Sequence, residues 1–463
     1  MFRYFLFSLC LLFSLNLHAQ PAAYNWYFGV NAALNFSSGS PVALTSSMMQ
    51  AVEGCATISD NNGDLLFYTE GNIVWAANHN IMPNGTGLNG SLTCSQSALI
   101  VPHPGNSSQY YIFTPPDQFN ASPFSYSIVD MTFNNGLGDV TIKNSPLFSQ
   151  STEKVTAVRH ANGVSIWVIG HAFNSADFYA YEITTGGISA PVISTSGTVH
   201  GGSNQNNIGI MKASPCGDKL ALTVFDDAIV EVFDFDNFTG VVSNAVQLGT
   251  FTQGNTWGLY GLEFSPAGSR LYVTQERPAI LVQYDLWAGS PSAMIASADT
   301  IVALPPLETF ASMQLAPDGK IYISRFTESF LAAINNPDAL GVSCNFADQV
   351  VSFTQGTAAH GLPNFVSSYF CEQSTGIVES EESLMIFPTP VSEILFIESD
   401  KLFSEREVSI RIMNIAGQDF SFSDFIRING TKISINLEPL VSGMYFIEFF
   451  NGKDRFIRKI IKT

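Results

Sequence analysis

Charged residues are scarce in this chain, and basic residues are the scarcest. Asp, Glu, Lys and Arg make up 13% of the 463 residues, and 20 Lys and Arg stand against 39 Asp and Glu, for a formal net charge of −19. So acidic a chain repels phosphate backbones and anionic membranes, which argues against nucleic acid as a partner. Few charges also disfavour amphipathic helices, whereas 37 Phe and 36 Gly suit short strands and turns. The composition predicts an all-β protein.

Familiar catalytic and metal-binding signatures are missing as well. The sequence contains no Gly-x-Ser-x-Gly elbow, no His-Glu-x-x-His pair and no phosphate loop ending in Gly-Lys-Ser/Thr. The histidines are scattered without the spacing of zinc ligands. Oxygen-rich turns at residues 60–64 and 234–237 could hold calcium, although ordinary turn chemistry also explains their composition. We therefore predict no cofactor and keep calcium as the open alternative.

A long apolar run occurs at the N-terminus, where residues 4–17 follow Arg3 and precede a small residue, Ala19. This pattern is typical of a secretory signal peptide spanning residues 1–19, cleaved between Ala19 and Gln20. The run is too short to favour a permanent membrane span. We therefore expect export and no transmembrane segment after the signal peptide is removed.

Cysteine is also uncommon. The chain has six cysteines, and loss of the signal peptide leaves five, so at least one stays unpaired even in a compartment that permits disulfides. Cys344 follows the last repeat described below, and Cys371 follows the closing strand. We predict a disulfide between these two, with Cys55 and Cys94 as the competing pair.

What the sequence does contain is a repeated hairpin pattern, in which an apolar run, a Pro-x-Gly turn and a second apolar run follow one another. The clearest copies, with their turn glycines 51 residues apart, are residues 209–223 with Gly217, 260–274 with Gly268 and 310–324 with Gly319. Earlier copies occupy residues 54–88, 97–140 and 153–189. Several short strands in each copy of this length are typical of a β-propeller, in which each blade is buried between its neighbours.

The two ends of the repeat region complement each other. Residues 25–44 lack an inner strand, while the strand-like stretch 358–370 lacks outer ones, so joining them predicts a seventh blade that closes the ring. The predicted layout is a signal peptide at 1–19, a seven-bladed propeller at 20–372, an acidic linker at 373–383 and a small β-sandwich at 384–463. The sandwich is predicted from the period-two alternation of apolar and polar residues.

The propeller region resembles a known group of proteins. The segments NWYFG, GCATISDNNGDLLFYTEG, YSIVDMTFNNGLGDV and GLPNF are similar to those of secreted propellers that gliding-type Gram-negative bacteria carry upstream of a type IX sorting domain. This resemblance implies an exported propeller at the cell surface. It implies no activity, because most such propellers have no assigned one.

The C-terminal region resembles the type A C-terminal sorting domain of the type IX secretion system in the order and spacing of its blocks. Thr389 departs from the usual Pro-Asn-Pro motif of that family. The resemblance implies that the type IX machinery is a partner, and that the protein travels through the periplasm to the outer-membrane surface or the medium. The residues that match the sorting signal are Pro388, Pro390, Gly417, Gly443, Tyr445, Lys459 and Lys462.

Several polar residues lie just before or within the predicted inner strands, and these could converge at the mouth of the propeller channel. As an alternative, each could be a strand-end group that neighbouring loops satisfy. The predicted ligand-binding residues are Glu53, Glu153, Lys154, Asn207, Tyr260 and His360.

The leading interpretation is a non-enzymatic, exported module that binds a glycan or a protein. The first alternative is a propeller hydrolase or lactonase, in which Glu53 or Glu153 and a bound cation polarise a carbonyl. A second alternative is a structural adhesin or a motility-associated surface component. Three or four carboxylate or imidazole groups within metal-bonding distance at the channel mouth would favour the enzyme.

Overall fold

A computed structural model describes residues 20–119, 122–250 and 257–371, and in the rest of the chain residues 385–388, 390–398, 409–414, 419–420, 426–429, 432–450 and 455–463. It contains 53% strand and 6% helix, so the prediction of an all-β protein is confirmed. The chain divides into two compact units, residues 1–371 and 372–463, which are described separately. The predicted signal peptide and the predicted linker lie outside the described residues.

The first unit consists of antiparallel sheets whose strands follow one another along the chain. Sheet by sheet, the strands are β1 (Asn25–Phe28), β2 (Ala32–Asn35) and β3 (Val42–Ala43); β4 (Ala56–Ser59), β5 (Leu65–Thr69), β6 (Ile73–Ala76) and β7 (Ile81–Thr86); β8 (Leu99–His103), β9 (Asn106–Thr114), β10 (Phe124–Asp130) and β11 (Asp139–Phe148); β12 (Ser151–Arg159), β13 (Ile166–Ala172), β14 (Ser175–Thr184), β15 (Gly187–Ile188) and β16 (Val192–His200); β17 (Met211–Ala213), β18 (Lys219–Val224), β19 (Ile229–Asp236) and β20 (Val241–Thr250); β21 (Trp257–Phe264), β22 (Arg270–Arg277), β23 (Ile280–Asp285) and β24 (Asp299–Ala303); and β25 (Met313–Leu315), β26 (Ile321–Ser324), β27 (Phe330–Ile334) and β28 (Phe346–Ser352).

Helices are short and lie in the connections. They are the α-helix α1 (Pro291–Ala296) and the 3₁₀ helices Pro21–Ala23, Asn134–Gly136, Asn204–Asn207, Gly341–Cys344 and Ser367–Phe370. Helix α1 begins where the Ser290 hydroxyl accepts a hydrogen bond from the Ala293 amide, an ordinary N-terminal cap.

The hairpins predicted from the Pro-x-Gly turns are confirmed. Across the turn between β21 and β22, Phe264 pairs with Leu271. The same type of turn joins β17 to β18 and β25 to β26. Gly217, Gly268 and Gly319 have φ angles of 78°, 68° and 75°, which glycine adopts readily because it has no Cβ.

Strands near the middle of each sheet are buried on both faces. On β22, Leu271 and Val273 point to one face and Tyr272 and Thr274 to the other, yet all four are fully buried. The reason is that neighbouring sheets cover both faces of a sheet in this unit. The alternation of side chains along the sequence therefore identifies the strands, but it does not distinguish a buried face from an exposed one.

Buried polar side chains connect the first strands of different sheets. The Gln96 side-chain oxygen accepts hydrogen bonds from the Val155 amide at 3.1 Å and the Met211 amide at 2.8 Å, which connects β12 to β17. The Lys212 ammonium on β17 lies 3.2 Å from a carboxylate oxygen of Glu263 on β21. First strands from successive sheets therefore lie close together.

The first sheet packs against the last one. The ring of Trp26 on β1 meets Tyr322 on β26 edge-on, with ring centroids 5.9 Å apart, and Phe28 meets Phe353 at 5.5 Å. These rings belong to one apolar core that contains residues of both sheets. The first and last sheets of the unit thus contact each other directly through side-chain packing.

Residues 357–371, which we call the axial segment, differ from the sequence-based expectation. The expected strand at 358–370 is wrong: the segment makes isolated bridges at Thr357 and Pro363 and ends in the 3₁₀ helix Ser367–Phe370. Thr357 bridges to Val30, just after β1, so the segment does reach the first sheet.

Hydrogen bonds from the axial segment go to several sheets, which is why it extends none of them. The Asn364 amide donates to the Cys55 carbonyl, just before β4, at 2.8 Å. The Asn364 side chain donates to the Val155 carbonyl on β12 at 3.2 Å. The Ser312 amide, just before β25, donates to the His360 carbonyl at 2.9 Å. Since these partners lie at the first strands of three sheets, the segment lies between those strands.

The disulfide prediction is wrong in one partner. Cys371 pairs with Cys216, in the turn between β17 and β18, and not with Cys344. Cys344 is a buried free thiol, as are Cys55 and Cys94, so the competing pair is not formed either. The physical reason is the path of the axial segment, which contacts several sheets and brings Cys371 to a sheet distant in sequence.

The second unit contains two four-stranded antiparallel sheets, in the orders β29-β30-β34-β33 and β32-β31-β35-β36. The strands are β29 (Met385–Phe387), β30 (Ile394–Glu398), β31 (Ser409–Asn414), β32 (Asp419–Phe420), β33 (Ile426–Asn429), β34 (Lys432–Asn436), β35 (Gly443–Phe450) and β36 (Arg455–Lys462). Buried residues of both sheets, among them Leu395, Ile433, Ile447 and Ile460, form a single apolar core. Within the described parts of both units, no helix is long and apolar enough to cross a membrane.

The predicted sorting-signal residues are distributed over this second unit. Pro388 and Pro390 are exposed, and Gly443 begins β35. Tyr445 is buried, and its hydroxyl donates to the Val441 carbonyl at 2.9 Å. Two further residues, Lys459 and Lys462, lie on β36, and Gly417 lies outside the described residues.

Candidate functional site

Polar side chains gather at the edge of the first unit where the first strands begin. Antiparallel hairpins bring the start of a first strand next to the end of the second one, so both can supply residues to this edge. Glu53 and Ser95 precede β4 and β8, Tyr260 lies on β21, and Glu276 lies near the end of β22. Together with Glu153 on β12 and His360 of the axial segment, they form what we call the mouth cluster: Glu53, Ser95, Glu153, Tyr260, Glu276 and His360.

The partly accessible side of the mouth cluster is made by Glu53, Tyr260 and His360. The Tyr260 hydroxyl donates to a Glu53 carboxylate oxygen at 3.0 Å, and the rings of Tyr260 and His360 lie 5.6 Å apart. The His360 Nε2 atom lies 2.6 Å from a Glu276 carboxylate oxygen, and the Phe326 ring stacks on the imidazole at 4.0 Å. The His360 side chain is 14% exposed and that of Glu276 is 4% exposed. Solvent therefore reaches Glu53 and His360, while their partners are covered.

Glu153 forms the covered side of the cluster. One carboxylate oxygen accepts hydrogen bonds from the Ser95 amide at 2.7 Å and the Ser95 hydroxyl at 2.6 Å. The other oxygen accepts from the Gln118 amide at 2.9 Å. Because the residue is fully buried and both oxygens have donors, Glu153 holds loops in place and cannot receive a ligand directly.

Lys154 and Asn207 also lie behind the accessible side. The Lys154 ammonium donates to the carbonyls of Asn206 at 3.4 Å, Asn207 at 2.9 Å and Ile208 at 2.8 Å, and the side chain is fully buried. Three carbonyl acceptors match the three N–H donors of an ammonium group. Lys154 therefore fixes the loop before β17.

Burial dominates the electrostatics of the cluster. It raises the pKa of Glu53 well above its ordinary value, and the charges of Glu153 and Glu276 raise it further, against the hydrogen bond from Tyr260. Burial also raises the pKa of Glu153, which the donors from Ser95 oppose. For Lys154 burial lowers the pKa to about 7, against the charge of Glu153. The carboxyls of Glu53 and Glu153 therefore hold protons more readily than in water, and the Lys154 amine holds its proton less readily. Of the two carboxyls, only that of Glu53 is partly accessible.

A second buried polar group lies beside Lys154. The imidazoles of His171 and His200 stack with centroids 3.8 Å apart, are fully buried, and have no hydrogen-bond partner on any ring nitrogen. Burial is the main cause that lowers the pKa of His171 to about 3 and that of His200 well below its usual value, with the Lys154 charge adding to both effects. The pair is therefore neutral at physiological pH.

The structure thus brings all six predicted ligand-binding residues to one region but separates them by exposure. Glu53 and His360 are partly exposed, whereas Tyr260 and the other three are buried and support them. The sequence-based selection missed Ser95, Glu276 and Phe326. Ser95 precedes β8 as Glu53 precedes β4, so the same rule could have found it. Glu276 ends a second strand, and no sequence pattern marked that position.

The oxygen-rich turns considered for calcium use their carboxylates locally. One Asp60 oxygen accepts hydrogen bonds from the Asn62 amide at 2.8 Å and the Asp64 amide at 2.9 Å. Asp234 pairs with the Lys219 ammonium at 2.5 Å. Across the described residues, no group of three or more His, Cys, Asp and Glu side chains could hold a metal ion. Calcium binding stays an untested alternative.

Comparison with known proteins identifies the C-terminal region. Residues 385–463 match the family of secretion system C-terminal sorting domains. The predicted sorting domain is therefore confirmed. No curated protein sequence matches the chain.

Similar solved structures include β-propellers of low sequence identity. A Bacteroides fragilis protein provisionally assigned as a 6-phosphogluconolactonase is 10% identical, with 74% of this chain and 97% of that chain covered and a TM-score of 0.45. The Swd1 β-propeller domain of Myceliophteria thermophila is 12% identical, with 66% and 94% covered and a TM-score of 0.38. Likenesses this remote carry no argument about substrate or activity.

Proposed function

We propose that the protein is an exported seven-bladed propeller that binds a glycan or protein ligand at its mouth cluster. In this proposal the type IX machinery recognises the C-terminal unit, a small β-sandwich, and delivers the propeller to the outer-membrane surface or the medium. The sorting-domain family of residues 385–463 supports this route. A first sheet of three strands, bridged by the axial segment at Thr357, supports a closing blade built from both ends of the propeller.

The observation that carries the binding proposal is the convergence of Glu53, Tyr260 and His360 from three distant parts of the chain. They meet at 3.0 Å between the Tyr260 hydroxyl and Glu53, and at 5.6 Å between the rings of Tyr260 and His360. Solvent reaches Glu53 and His360, so in this proposal a ligand approaches from their side.

The chemistry of these groups suits hydrogen bonding. Glu53 has a raised pKa, mainly because it is buried, so its carboxyl keeps a proton, and can donate a hydrogen bond, at a higher pH than an exposed glutamate does. The His360 Nδ1 atom is buried and has no hydrogen-bond partner among the described residues. Hydroxyl groups of a glycan and amides of a peptide can both donate and accept, and thus fit the partly exposed Glu53 carboxyl. The hydrolase alternative receives no comparable support, because no described set of side chains is arranged to hold the cation it requires.

An array of immobilised glycans and proteins, probed with the mature protein with and without calcium, tests the proposal. For any ligand that binds, Glu53→Gln should weaken binding at least about tenfold, because a buried polar partner is changed. Glu231→Gln is the matched control, since Glu231 is a buried carboxylate whose partner is Thr198, away from the mouth.

Two results would contradict the proposal. Equal affinity of the Glu53→Gln variant and the unchanged protein for every captured ligand would move the site elsewhere. A loss of affinity that is just as large in Glu231→Gln would mean that both substitutions act through general loss of structure. Near-ultraviolet circular dichroism of each variant identifies the second case.

A further inference from the structure

The axial segment is the last part of the first unit, and the sorting domain follows it. Its C-terminal half is held by apolar side chains and by single hydrogen bonds. Phe365, Val366 and Phe370 are buried, and the Ser368 hydroxyl accepts from the Arg159 amide at 3.0 Å. These contacts do not form a strand ladder, in which many hydrogen bonds must break together. A pull on the C-terminal side of the segment would break such contacts one after another.

The Cys216–Cys371 disulfide lies at the point where a force applied from the C-terminal side enters the first unit. Cys371 is the final residue of the first unit, and its partner Cys216 lies 155 residues earlier, in the β17–β18 turn. With the bond formed, tension applied beyond residue 371 passes through the two sulfur atoms to that hairpin. Residues 357–370 then share the load with the covalent link, so the segment leaves its place only if the β17–β18 hairpin moves as well.

We propose that this disulfide is a clasp that keeps the axial segment seated while the sorting domain is pulled or removed. The clasp protects the mouth cluster as well, since His360 belongs to the axial segment. The inference depends on the sorting domain and on the path of the segment, and it is independent of which ligand is bound.

Formation of the clasp is an ordinary thiol–disulfide exchange. A disulfide of an oxidising periplasmic protein is attacked by one of the two cysteine thiolates, which forms a mixed disulfide and releases one thiolate of the oxidant. The second cysteine thiolate attacks the mixed disulfide, forms the Cys216–Cys371 bond and releases the other. Two protein thiols are oxidised, and one disulfide of the oxidant is reduced to two thiols. Because the sulfurs meet only when the segment is seated, the bond forms on a closed first unit.

An ATP-driven unfoldase with its protease, acting on a recognition tag fused after Thr463 of the full chain without its signal peptide, tests the clasp. Such a machine pulls from the C-terminus. For the disulfide-bonded protein we expect degradation of the sorting domain and a stop near residue 371. For the Cys216→Ser/Cys371→Ser variant we expect degradation to continue into the first unit at least about tenfold faster.

Two controls keep the outcome interpretable. Cys344→Ser removes a buried free thiol and should behave as the unchanged protein does. If the double variant fails to fold, the Cys216–Cys371 bond of the folded wild type is reduced with a phosphine instead. Near-ultraviolet circular dichroism then checks that the protein stays folded in this open form, which lacks the disulfide. A stop near residue 371 in both bonded and open forms would overturn the proposal. So would equally fast degradation of both.

Discussion

Glu53 and Glu153 show how two buried glutamates near the starts of first strands take different roles. Glu153 has a donor on each oxygen and no exposure, so its hydrogen bonds hold the surrounding loops. Glu53 has Tyr260 as a donor and is partly exposed. The exposure of a carboxylate, and not its position in the repeat, thus decides which one a ligand can reach.

The pair of His171 and His200 makes the unfolding free energy of the protein depend on pH. The folded state keeps His171 neutral down to about pH 3, whereas the unfolded chain protonates it below about 6.5. Between these values the unfolded state binds more protons, so stability rises with pH and is lost as pH falls. Each such histidine contributes about 1.4 kcal/mol per pH unit inside that window. We expect the His171→Leu/His200→Leu variant to lose less unfolding free energy than the wild type between pH 6.5 and 4.

Denaturant unfolding at several pH values measures this difference. Ile169→Val is the control, because it alters a buried residue on the same strand without a titratable group, and it should cost about 1 kcal/mol at every pH. Parallel pH profiles for the double variant and the wild type would mean that the histidine pair does not control acid stability.

At the scale of elements, the axial segment depends on one close backbone approach. A Cβ on residue 361 would lie 1.9 Å from the Glu53 carbonyl oxygen and 2.8 Å from the Gly54 amide nitrogen, so only glycine fits there without movement. We expect Gly361→Ala to destabilise the first unit by about 2 kcal/mol or more. It should also weaken ligand binding, because the displaced backbone carries Glu53.

Gly186→Ala provides the comparison for this prediction. The nearest atom to its added Cβ is the Thr184 hydroxyl oxygen at 3.6 Å, an ordinary contact, so the unfolding free energy should change by less than about 0.5 kcal/mol. Denaturant unfolding of both variants measures the effect. Similar stabilities for Gly361→Ala and Gly186→Ala would show that the segment can shift away without cost.

The elements also show where sequence-based inference succeeds and where it stops. The hairpins at Gly217, Gly268 and Gly319 were predictable, because turn chemistry acts between residues close in the chain. The conformation of the axial segment was not, since its partners Cys55, Val155 and Ser312 lie on three sheets. The error in the Cys371 disulfide has the same origin. Four of the six residues of the mouth cluster were predicted, because the start of a first strand is visible in the sequence. Ser95 was overlooked by that same rule, and no sequence pattern marked Glu276.

On the scale of the whole molecule, the two units have separate apolar cores. We predicted an exposed acidic linker at residues 373–383, and a segment of that composition offers a protease few buried contacts to break. Limited proteolysis of the mature protein should cut first between Cys371 and Met385. Two resistant fragments should result, identical with and without reductant, because both disulfide cysteines belong to the first unit. First cuts within residues 260–324 would contradict this division.

The last strand of the sorting domain should decide whether the protein leaves the periplasm. Strand β36 pairs with β35 along residues 443–450, buries Ile460 in the core and bonds to Val391, whose amide donates to the Ile461 carbonyl at 2.8 Å. Deletion of residues 454–463 removes these contacts and leaves β35 with an unpaired edge. We expect the deletion variant to lose its signal peptide and accumulate in the periplasm with a folded first unit, because that unit has its own core. Val441→Ser, which changes an exposed residue of the same unit, should be exported normally. Cell fractionation measures both, and equal amounts of the deletion variant and the intact protein at the cell surface or in the medium would show that export does not require a complete sorting domain.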